Sequence, residues 1–153
     1  NDSFQLGPIS SPTPAHGPSH GQGRSMTTSP STSANQDRLK TLLTHTAQRS
    51  RQRCCFLLRV RPERLTEYIE VHQHVWQDMR DALSNAGWRR YSLFLRPEDG
   101  LVVGYFESDD TAAAMRAMED SDVNTRWQAE MAQYFVQPNG GTPEILAQYF
   151  HLA

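Results

Sequence analysis

The sequence predicts an α+β fold in which a four-stranded antiparallel sheet carries helices on one face. Three observations lead to this prediction. A nearly continuous apolar run over 54–60 has the length of a strand, apolar side chains recur every three or four positions over 62–86, and two apolar runs, 91–95 and 101–106, flank a turn sequence. With a second helical region and a closing apolar segment after them, the order is β-α-β-β-α-β, which is the ferredoxin-like arrangement.

The first third of the chain differs in composition from the rest. Residues 1–50 contain five prolines and four glycines but few large apolar side chains, so they cannot bury enough surface to offset their chain entropy. We expect 1–50 to be a disordered tail, apart from a short helix suggested by leucines at helical spacing from Gln36 to about Arg49. Met26 is the first methionine, so the residues before it are either part of the native protein or sequence added to it. Residues 51–153 are expected to form one ferredoxin-like domain, which holds all three tryptophans and all five tyrosines.

Charge, cysteines and hydropathy argue against several classes of function. From Cys54 onward nine Lys and Arg stand against fifteen Asp and Glu, within a net charge of −2 for the whole chain, and this acidic balance does not suit a nucleic-acid partner. Cys54 and Cys55 are the only cysteines, and an adjacent pair forms neither a disulfide framework nor a zinc site, so we expect reduced thiols in the cytoplasm. The sequence contains no run apolar enough to span a membrane and no secretory pattern, which also favours a cytoplasmic protein.

The first elements follow from local signals. Pro62 suits the first turn of a helix, which we expect to run without interruption to about Ala86 and to end at Gly87. The turn between the two central apolar runs contains a proline and an Asp-Gly pair, which predicts a tight connection between two strands. Gly104 within the second of these strands indicates a bulge or the close approach of another group.

The second half of the chain closes the sheet. The range 111–118 predicts a helix capped near residues 109–110, 121–135 predicts another, and 146–152 is interpreted as the last strand. Because strand residues of both parities are apolar, the face of the sheet away from the helices also needs a cover. A second copy of the same sheet is the simplest cover, so we expect a homodimer.

One titratable side chain stands out within the long predicted helix. Tyr68, His72 and Trp76 follow one another at i, i+4, so the imidazole is expected to lie between two aromatic side chains on the inward face. There it is either a core histidine with a structural role or a general acid/base at the edge of a pocket. His74 lies on a different helix face, so the two histidines cannot readily chelate one metal. The sequence carries neither a glycine-rich phosphate loop nor a zinc motif, and we expect neither a cofactor nor a metal.

Two further aromatic residues carry the same ambiguity. Tyr91 begins a strand, where its hydroxyl either reaches a pocket or packs within the sheet. Trp127 lies in a predicted helix, where it either anchors the core or lines a site. The residues alone leave both alternatives open.

Four segments together resemble the L-rhamnose mutarotase family. They are Tyr68-x-x-x-His72-x-x-x-Trp76 followed by Asp78-Met79, the strand 91–95, the string 123–131 and the ending 148–152. The resemblance covers 54–153, with the elements in the family's order and spacing. It implies a ferredoxin-like fold of the dimeric α/β-barrel type and a cofactor-free isomerase that interconverts the α and β anomers of L-rhamnopyranose by acid/base ring opening and closing.

The resemblance also implies roles for individual residues. By position, His72 matches the family's catalytic proton donor. Tyr68 and Tyr91 match its sugar-contacting tyrosines, and Trp127 matches the first of two consecutive tryptophans at the sugar site. The second of those tryptophans is Gln128 here, which replaces a stacking surface with an amide.

Two other classes of function remain open from the residues. Dimeric ferredoxin-like barrels also house haem- or quinone-acting monooxygenases, in which a helix histidine could serve as an axial ligand. A non-catalytic ligand-binding or interaction module is the other alternative, with the N-terminal tail as its functional part. This tail is basic, because six Lys and Arg stand against two Asp and Glu up to Arg53.

Overall fold

The computed structural model describes residues 30–47 and 51–153. Within them the strands are β1 Arg53–Arg59, β2 Arg89–Arg96, β3 Leu101–Glu107 and β4 Glu144–Leu146. The helices are α1 Pro30–Ala47, α2 Leu65–His72, α3 Gln77–Asn85, α4 Thr111–Glu119 and α5 Asp122–Met131. The strands form one sheet in the order β2-β3-β1-β4 with every neighbouring pair antiparallel. This is the predicted ferredoxin-like topology.

The core lies against one face of this sheet. Along β3, Val102, Gly104 and Phe106 are buried and alternate with half-buried residues, so one face of the strand is covered more deeply than the other. Phe106 stacks on Trp88 with ring centroids 3.7 Å apart. A side chain at Gly104 has no room, because a Cβ there would lie 2.2 Å from Cζ of Phe56. The predicted close approach at Gly104 is therefore confirmed.

The opposite face of the sheet is apolar and much more open. The strand register places Phe94 of β2 beside Val103 of β3, which in turn lies beside Leu57 of β1. Phe94 is 61% exposed, and the other two side chains are half buried. We call the row formed by Leu57, Phe94 and Val103 the open face.

The prediction of one uninterrupted helix over 62–86 is wrong. The chain makes a 3₁₀ turn at Pro62–Arg64, continues as α2, leaves the helix at 73–76 and starts again as α3. Trp76 precedes α3 with an extended backbone, φ −53° and ψ 140°. The interruption falls in the sequence 71–76, where valine, histidine and tryptophan are weak helix formers because their side chains lose freedom in a helix.

Other boundaries lie close to the prediction. The Asp110 carboxylate accepts a hydrogen bond of 3.1 Å from the backbone N–H of Ala113, which caps α4 as expected. Gly87 follows α3 with φ +91°, the left-handed conformation that commonly ends a helix. The helix predicted over 121–135 stops earlier, because α5 passes into a 3₁₀ turn at Ala132–Tyr134.

The prediction of the last strand at 146–152 is wrong, because β4 spans Glu144–Leu146 and ends where the predicted strand begins. Leu146, the end of β4, lies opposite Cys55, which is only two positions from the start of β1. Because β4 runs antiparallel to β1, the residues after Leu146 pass the first residue of β1 within two positions. Arg53 still donates a hydrogen bond of 3.3 Å from Nε to Oε1 of Gln148. Beyond that point the chain has no regular structure up to residue 153.

The first helix lies within the tail that the sequence predicts to be disordered. The short helix predicted from Gln36 to about Arg49 is present and spans Pro30–Ala47, with most of its side chains exposed. The remaining parts of that predicted tail, 1–29 and 48–50, lie outside the described residues. None of the helices in the described ranges has both the length and the apolar character that crossing a bilayer requires.

Candidate active site

A cavity of about 710 Å³ lies between the helix-covered face of the sheet and the helices α2 to α5. Strand residues such as Leu58, Leu95 and Val102 give it an apolar wall. All five site residues singled out from the sequence line this one cavity: Tyr68, His72, Tyr91, Trp127 and Gln128. The fold thus brings together side chains from α2, β2 and α5.

His72 is the last residue of α2 and is half buried at the cavity wall. Its Nδ1 lies 2.7 Å from the backbone carbonyl oxygen of Tyr68. A carbonyl oxygen can only accept a hydrogen bond, so Nδ1 carries the proton and Nε2 of the neutral ring is the unprotonated nitrogen. Burial lowers the pKa of His72 from its ordinary value, and the bond to the Tyr68 carbonyl opposes part of that change. The neutral ring therefore dominates at pH 7.

The two aromatic neighbours of His72 are not the predicted pair. The Tyr68 ring is one of them, with its centroid 4.3 Å from that of the imidazole. The other is Trp127 of α5, edge-on at 5.5 Å, and not Trp76. The i, i+4 relation between His72 and Trp76 is lost because the helix is interrupted between them. Trp76 instead packs edge-on against Trp127, with centroids 5.1 Å apart.

Both tyrosines at the cavity keep their hydroxyl protons at neutral pH. Burial raises the pKa of Tyr68 to about 12. Burial also raises the pKa of Tyr91 well above its ordinary range, with a smaller contribution from the charge that Tyr68 would carry if ionised. The Tyr91 residue as a whole is 38% exposed, so water still reaches part of this side chain. Neutral phenols can donate hydrogen bonds to a bound ligand.

Trp127 is held in place from two directions. The side chain is 6% exposed and belongs to the core that also contains Met79, Met118 and Met131. On its outer side Trp76 covers it, and the guanidinium carbon of Arg126 lies 5.8 Å from the centre of the Trp76 ring. Trp127 is therefore both a core residue and part of the cavity wall.

An ion pair joins the two helices beside this tryptophan pair. Arg126 of α5 contacts the carboxylate of Asp78 of α3 at 3.2 Å. Both side chains are largely exposed. The contact links the helix that carries Trp127 to the helix that follows Trp76.

Gln128 lies on the exposed edge of α5, where the cavity opens. Its Nε2 donates a hydrogen bond of 3.4 Å to Oδ1 of Asn124, which also lines the cavity. Asn124 was not identified from the sequence. Helical spacing would have found it, because it precedes Trp127 by three positions and Gln128 by four, which places all three on one side of α5.

The connection before β4 also reaches the cavity. Gly141, Thr142 and Pro143 are among its lining residues. The prolines and glycines of 137–143 predict a loop, but nothing in its composition indicates which surface it touches. Within the ranges 30–47 and 51–153, no three His, Cys, Asp or Glu side chains come close enough to hold a metal ion together.

The arrangement combines acid/base and binding chemistry in one pocket. It offers an acceptor at the neutral His72 ring, donors at two neutral tyrosines and amide groups at Gln128 and Asn124. The aromatic and aliphatic walls offer a surface for C–H groups. A small polyhydroxy compound with one apolar side fits these properties.

Comparison with known proteins identifies one family. The family model described as L-rhamnose mutarotase matches residues 53–152. An L-rhamnose mutarotase from Pectobacterium atrosepticum is 33% identical over 102 residues, which are 65% of this chain and 97% of that protein. One from Tolumonas auensis is 29% identical over 103 residues, which are 66% of this chain and 98% of that protein.

A solved structure agrees with the sequence relatives. The crystal structure of an L-rhamnose mutarotase from Formosa agariphila matches with a TM-score of 0.56 at 17% identity. The match covers 67% of this chain and 99% of that one. At this level of identity the likeness concerns the fold.

Proposed function

The chain belongs to the L-rhamnose mutarotase family, which is a family of isomerases, and we propose that His72 is the group through which it interconverts the α and β anomers of L-rhamnopyranose. The observation that carries this proposal is the neutral imidazole at the cavity wall. Its Nδ1 is fixed by the Tyr68 carbonyl at 2.7 Å, so its Nε2 is available to a ligand as a base.

Anomer exchange moves one proton from the anomeric hydroxyl to the ring oxygen. In the proposed reaction, Nε2 of His72 accepts the proton of O1–H, a C1=O double bond forms, and the C1–O5 bond breaks with its electron pair left on O5. The imidazolium then donates its proton to O5, which gives the open-chain aldehyde. Rotation about the C1–C2 bond and the reverse steps close the other anomer. His72 is thus a base in one half and a proton donor in the other.

The tyrosines and the tryptophan would bind the sugar. The neutral hydroxyls of Tyr68 and Tyr91 donate hydrogen bonds, and a donor near O5 stabilises the negative charge that develops when the C1–O5 bond breaks. Trp127 provides an apolar surface for the C–H groups and the methyl group of a 6-deoxy sugar. Gln128, at the position of the family's second tryptophan, presents its amide at the exposed edge of the cavity.

The rival functions gain no support from the comparisons. A haem- or quinone-acting monooxygenase and a non-catalytic ligand-binding module were both compatible with the residues alone. The named relatives are L-rhamnose mutarotases and match the domain over nearly their whole length. The isomerase therefore stands as the favoured function.

We also propose that the protein is a homodimer in which the open face meets the same face of a second copy. Leu57, Phe94 and Val103 form a flat apolar row that is only partly covered in one chain. Apolar rows of this kind are commonly buried by association, and a two-fold axis pairs each row with its equivalent. Tyr149 and Phe150, 79% and 72% exposed after β4, would add to the buried surface.

The test of the catalytic proposal is anomer exchange in L-rhamnose, measured by saturation-difference NMR. We expect His72→Ala to lower the catalysed exchange rate by about 10²–10⁴-fold, because a positioned acid/base contributes about that much. L-Fucose and D-glucose serve as comparison sugars.

His74→Ala is the matched control for this test. His74 lies two positions away, is exposed and does not line the cavity, so its removal should leave the exchange rate unchanged. Undiminished exchange in His72→Ala would contradict the assigned role of His72. Absence of catalysed exchange in the wild-type protein would contradict the proposed function itself.

A further inference from the structure

We propose that Asn124 and Gln128 form a hydroxyl-binding pair, so that the site accepts an aldohexose that keeps its 6-hydroxyl as well as the 6-deoxy sugar. This inference rests on the proposed function and adds a second substrate to it. L-Mannose is the sugar that tests it, because L-rhamnose is 6-deoxy-L-mannose and the two differ only at C6.

The pair is a side-chain contact at the opening of the cavity. Gln128 Nε2 donates to Asn124 Oδ1 at 3.4 Å, and both residues line the cavity. This bond occupies one N–H of Gln128 and one oxygen of Asn124. Within residues 30–47 and 51–153 the two side chains make no other side-chain hydrogen bond, which leaves the Gln128 carbonyl as an acceptor and the Asn124 amide as a donor. One hydroxyl can use both groups, because it donates and accepts at once.

The position of the pair relative to His72 indicates which sugar carbon it meets. Because His72 must reach O1 and O5, the sugar edge that contains O5 lies at the imidazole. C6 is attached to C5, the other neighbour of O5, so the C6 substituent extends from this same edge. Trp127 lies edge-on to the imidazole ring with 5.5 Å between centroids, and Asn124 precedes Trp127 by three positions, which places the amide pair on the same side of α5 as this ring. A C6 substituent that passes Trp127 therefore comes to the amide pair.

The exposure of the pair explains why both sugars would be accepted. A buried hydrogen-bonding group strongly rejects an analogue that lacks its partner, because the group is left unsatisfied. Gln128 is exposed and Asn124 half buried, so water can still reach them when the sugar carries a methyl group. The expected specificity is therefore broad at C6, and it depends on the amides only for the hydroxylated sugar.

The test is the ratio of kcat/KM for anomer exchange of L-mannose to that of L-rhamnose. In the wild-type protein we expect the two values to agree within about tenfold, the range of a single weak contact. Gln128→Leu and Asn124→Ala each remove one of the hydrogen-bonding groups. Each is expected to lower the L-mannose to L-rhamnose ratio by about threefold to tenfold.

Gln133→Leu is the matched control, since Gln133 lies just beyond α5 outside the cavity and accepts a hydrogen bond from Arg64. It should leave the ratio unchanged. The inference is overturned if the wild-type protein exchanges L-rhamnose but discriminates more than about a hundredfold against L-mannose. It is also overturned if neither variant changes the ratio, or if both abolish exchange of both sugars. A wild-type protein that exchanges neither sugar refutes the proposed function instead.

Discussion

The two faces of the sheet are made by the same strands but differ in what covers them. On β3, the neighbouring residues Val102 and Val103 point to opposite faces, and Val102 is buried while Val103 is half buried. All five candidate site residues lie on the Val102 side. The comparison shows that hydropathy specifies two apolar faces, and that the packing of helices on one of them creates the depth a binding site needs.

The largest expected effect is the difference in stability loss between two substitutions, one of a phenylalanine on the helix-covered face and one of a phenylalanine on the open face. Phe106→Ala is expected to lower the free energy of unfolding by about 3–5 kcal/mol, because this fully buried ring leaves a cavity against Trp88. Phe94→Ala should cost clearly less, since this ring is 61% exposed in the protomer. Urea unfolding of the two variants at equal concentration measures both. Equal losses would break the comparison, because they would mean that Phe94 is covered as deeply as Phe106, either by its own chain or by the second copy.

The second prediction concerns what covers the open face. Phe94→Asp places a charge in each half of the proposed interface, and burying unpaired carboxylates opposes association. We expect sedimentation velocity to show a dimer for the wild-type protein and a monomer for the variant. Glu130→Asp, which changes an exposed position on α5, is the control and should remain dimeric. A wild-type monomer would contradict the proposal.

The third prediction concerns the site on the covered face and the dependence of its kcat/KM on pH. The pKa of His72 is lowered from its ordinary 6.5 by burial, so the neutral base should persist below pH 6.5 and kcat/KM should fall only at a lower pH. Exchange rates measured across this range by NMR test it. An acidic limb centred above 6.5 would contradict the assignment.

The same titration affects stability in a defined direction. The unfolded chain binds a proton at His72 near pH 6.5, whereas the folded chain binds it only at lower pH. The stability contributed by the neutral ring is therefore complete above pH 6.5 and is lost as the pH falls from there through the folded pKa. Urea unfolding at about pH 7.5 and about pH 5 should show a larger drop for the wild-type protein than for His72→Ala.

The smallest effect is expected on the outer surface of the helix layer. The Arg126–Asp78 pair is exposed, with side-chain exposures of 65% and 58%, so Arg126→Ala should change the free energy of unfolding by less than about 1 kcal/mol. Urea unfolding checks this value. A loss as large as that of Phe106→Ala would show that the ion pair, and not the buried layer, holds α3 against α5.

The topology could be predicted from the sequence because local residue patterns determine most of its elements. The first three strands, the Asp110 cap and the Gly87 helix end each depend on a few adjacent residues and were found close to their predicted positions. The interruption at 73–76 was missed because the apolar spacing continues through it. Weak helix formers and the packing of Trp76 on Trp127 together favour the break, and the second of these is a contact between distant segments.

The site was predicted unevenly for a similar reason. His72, Tyr68 and Tyr91 could be proposed from residue type and position, and they do line one cavity. The partner of the imidazole could not be identified, because contact between Trp127 and His72 joins segments that are far apart in sequence. The position of β4 was predicted wrongly because the end of this strand depends on where β1 begins, which is a property of the pair of strands.

The interruption of the helix after His72 has an electrostatic consequence. A helix carries a partial negative charge at its carboxyl end, where the last backbone carbonyls have no amide partners within it. Ending α2 at His72 places the ring at this pole, whereas a continuous helix would have left it in the neutral middle. A cation formed there gains about 0.3–1 kcal/mol from the oriented peptide dipoles. The bend in the chain thus eases the brief appearance of positive charge on a ring that is otherwise kept neutral.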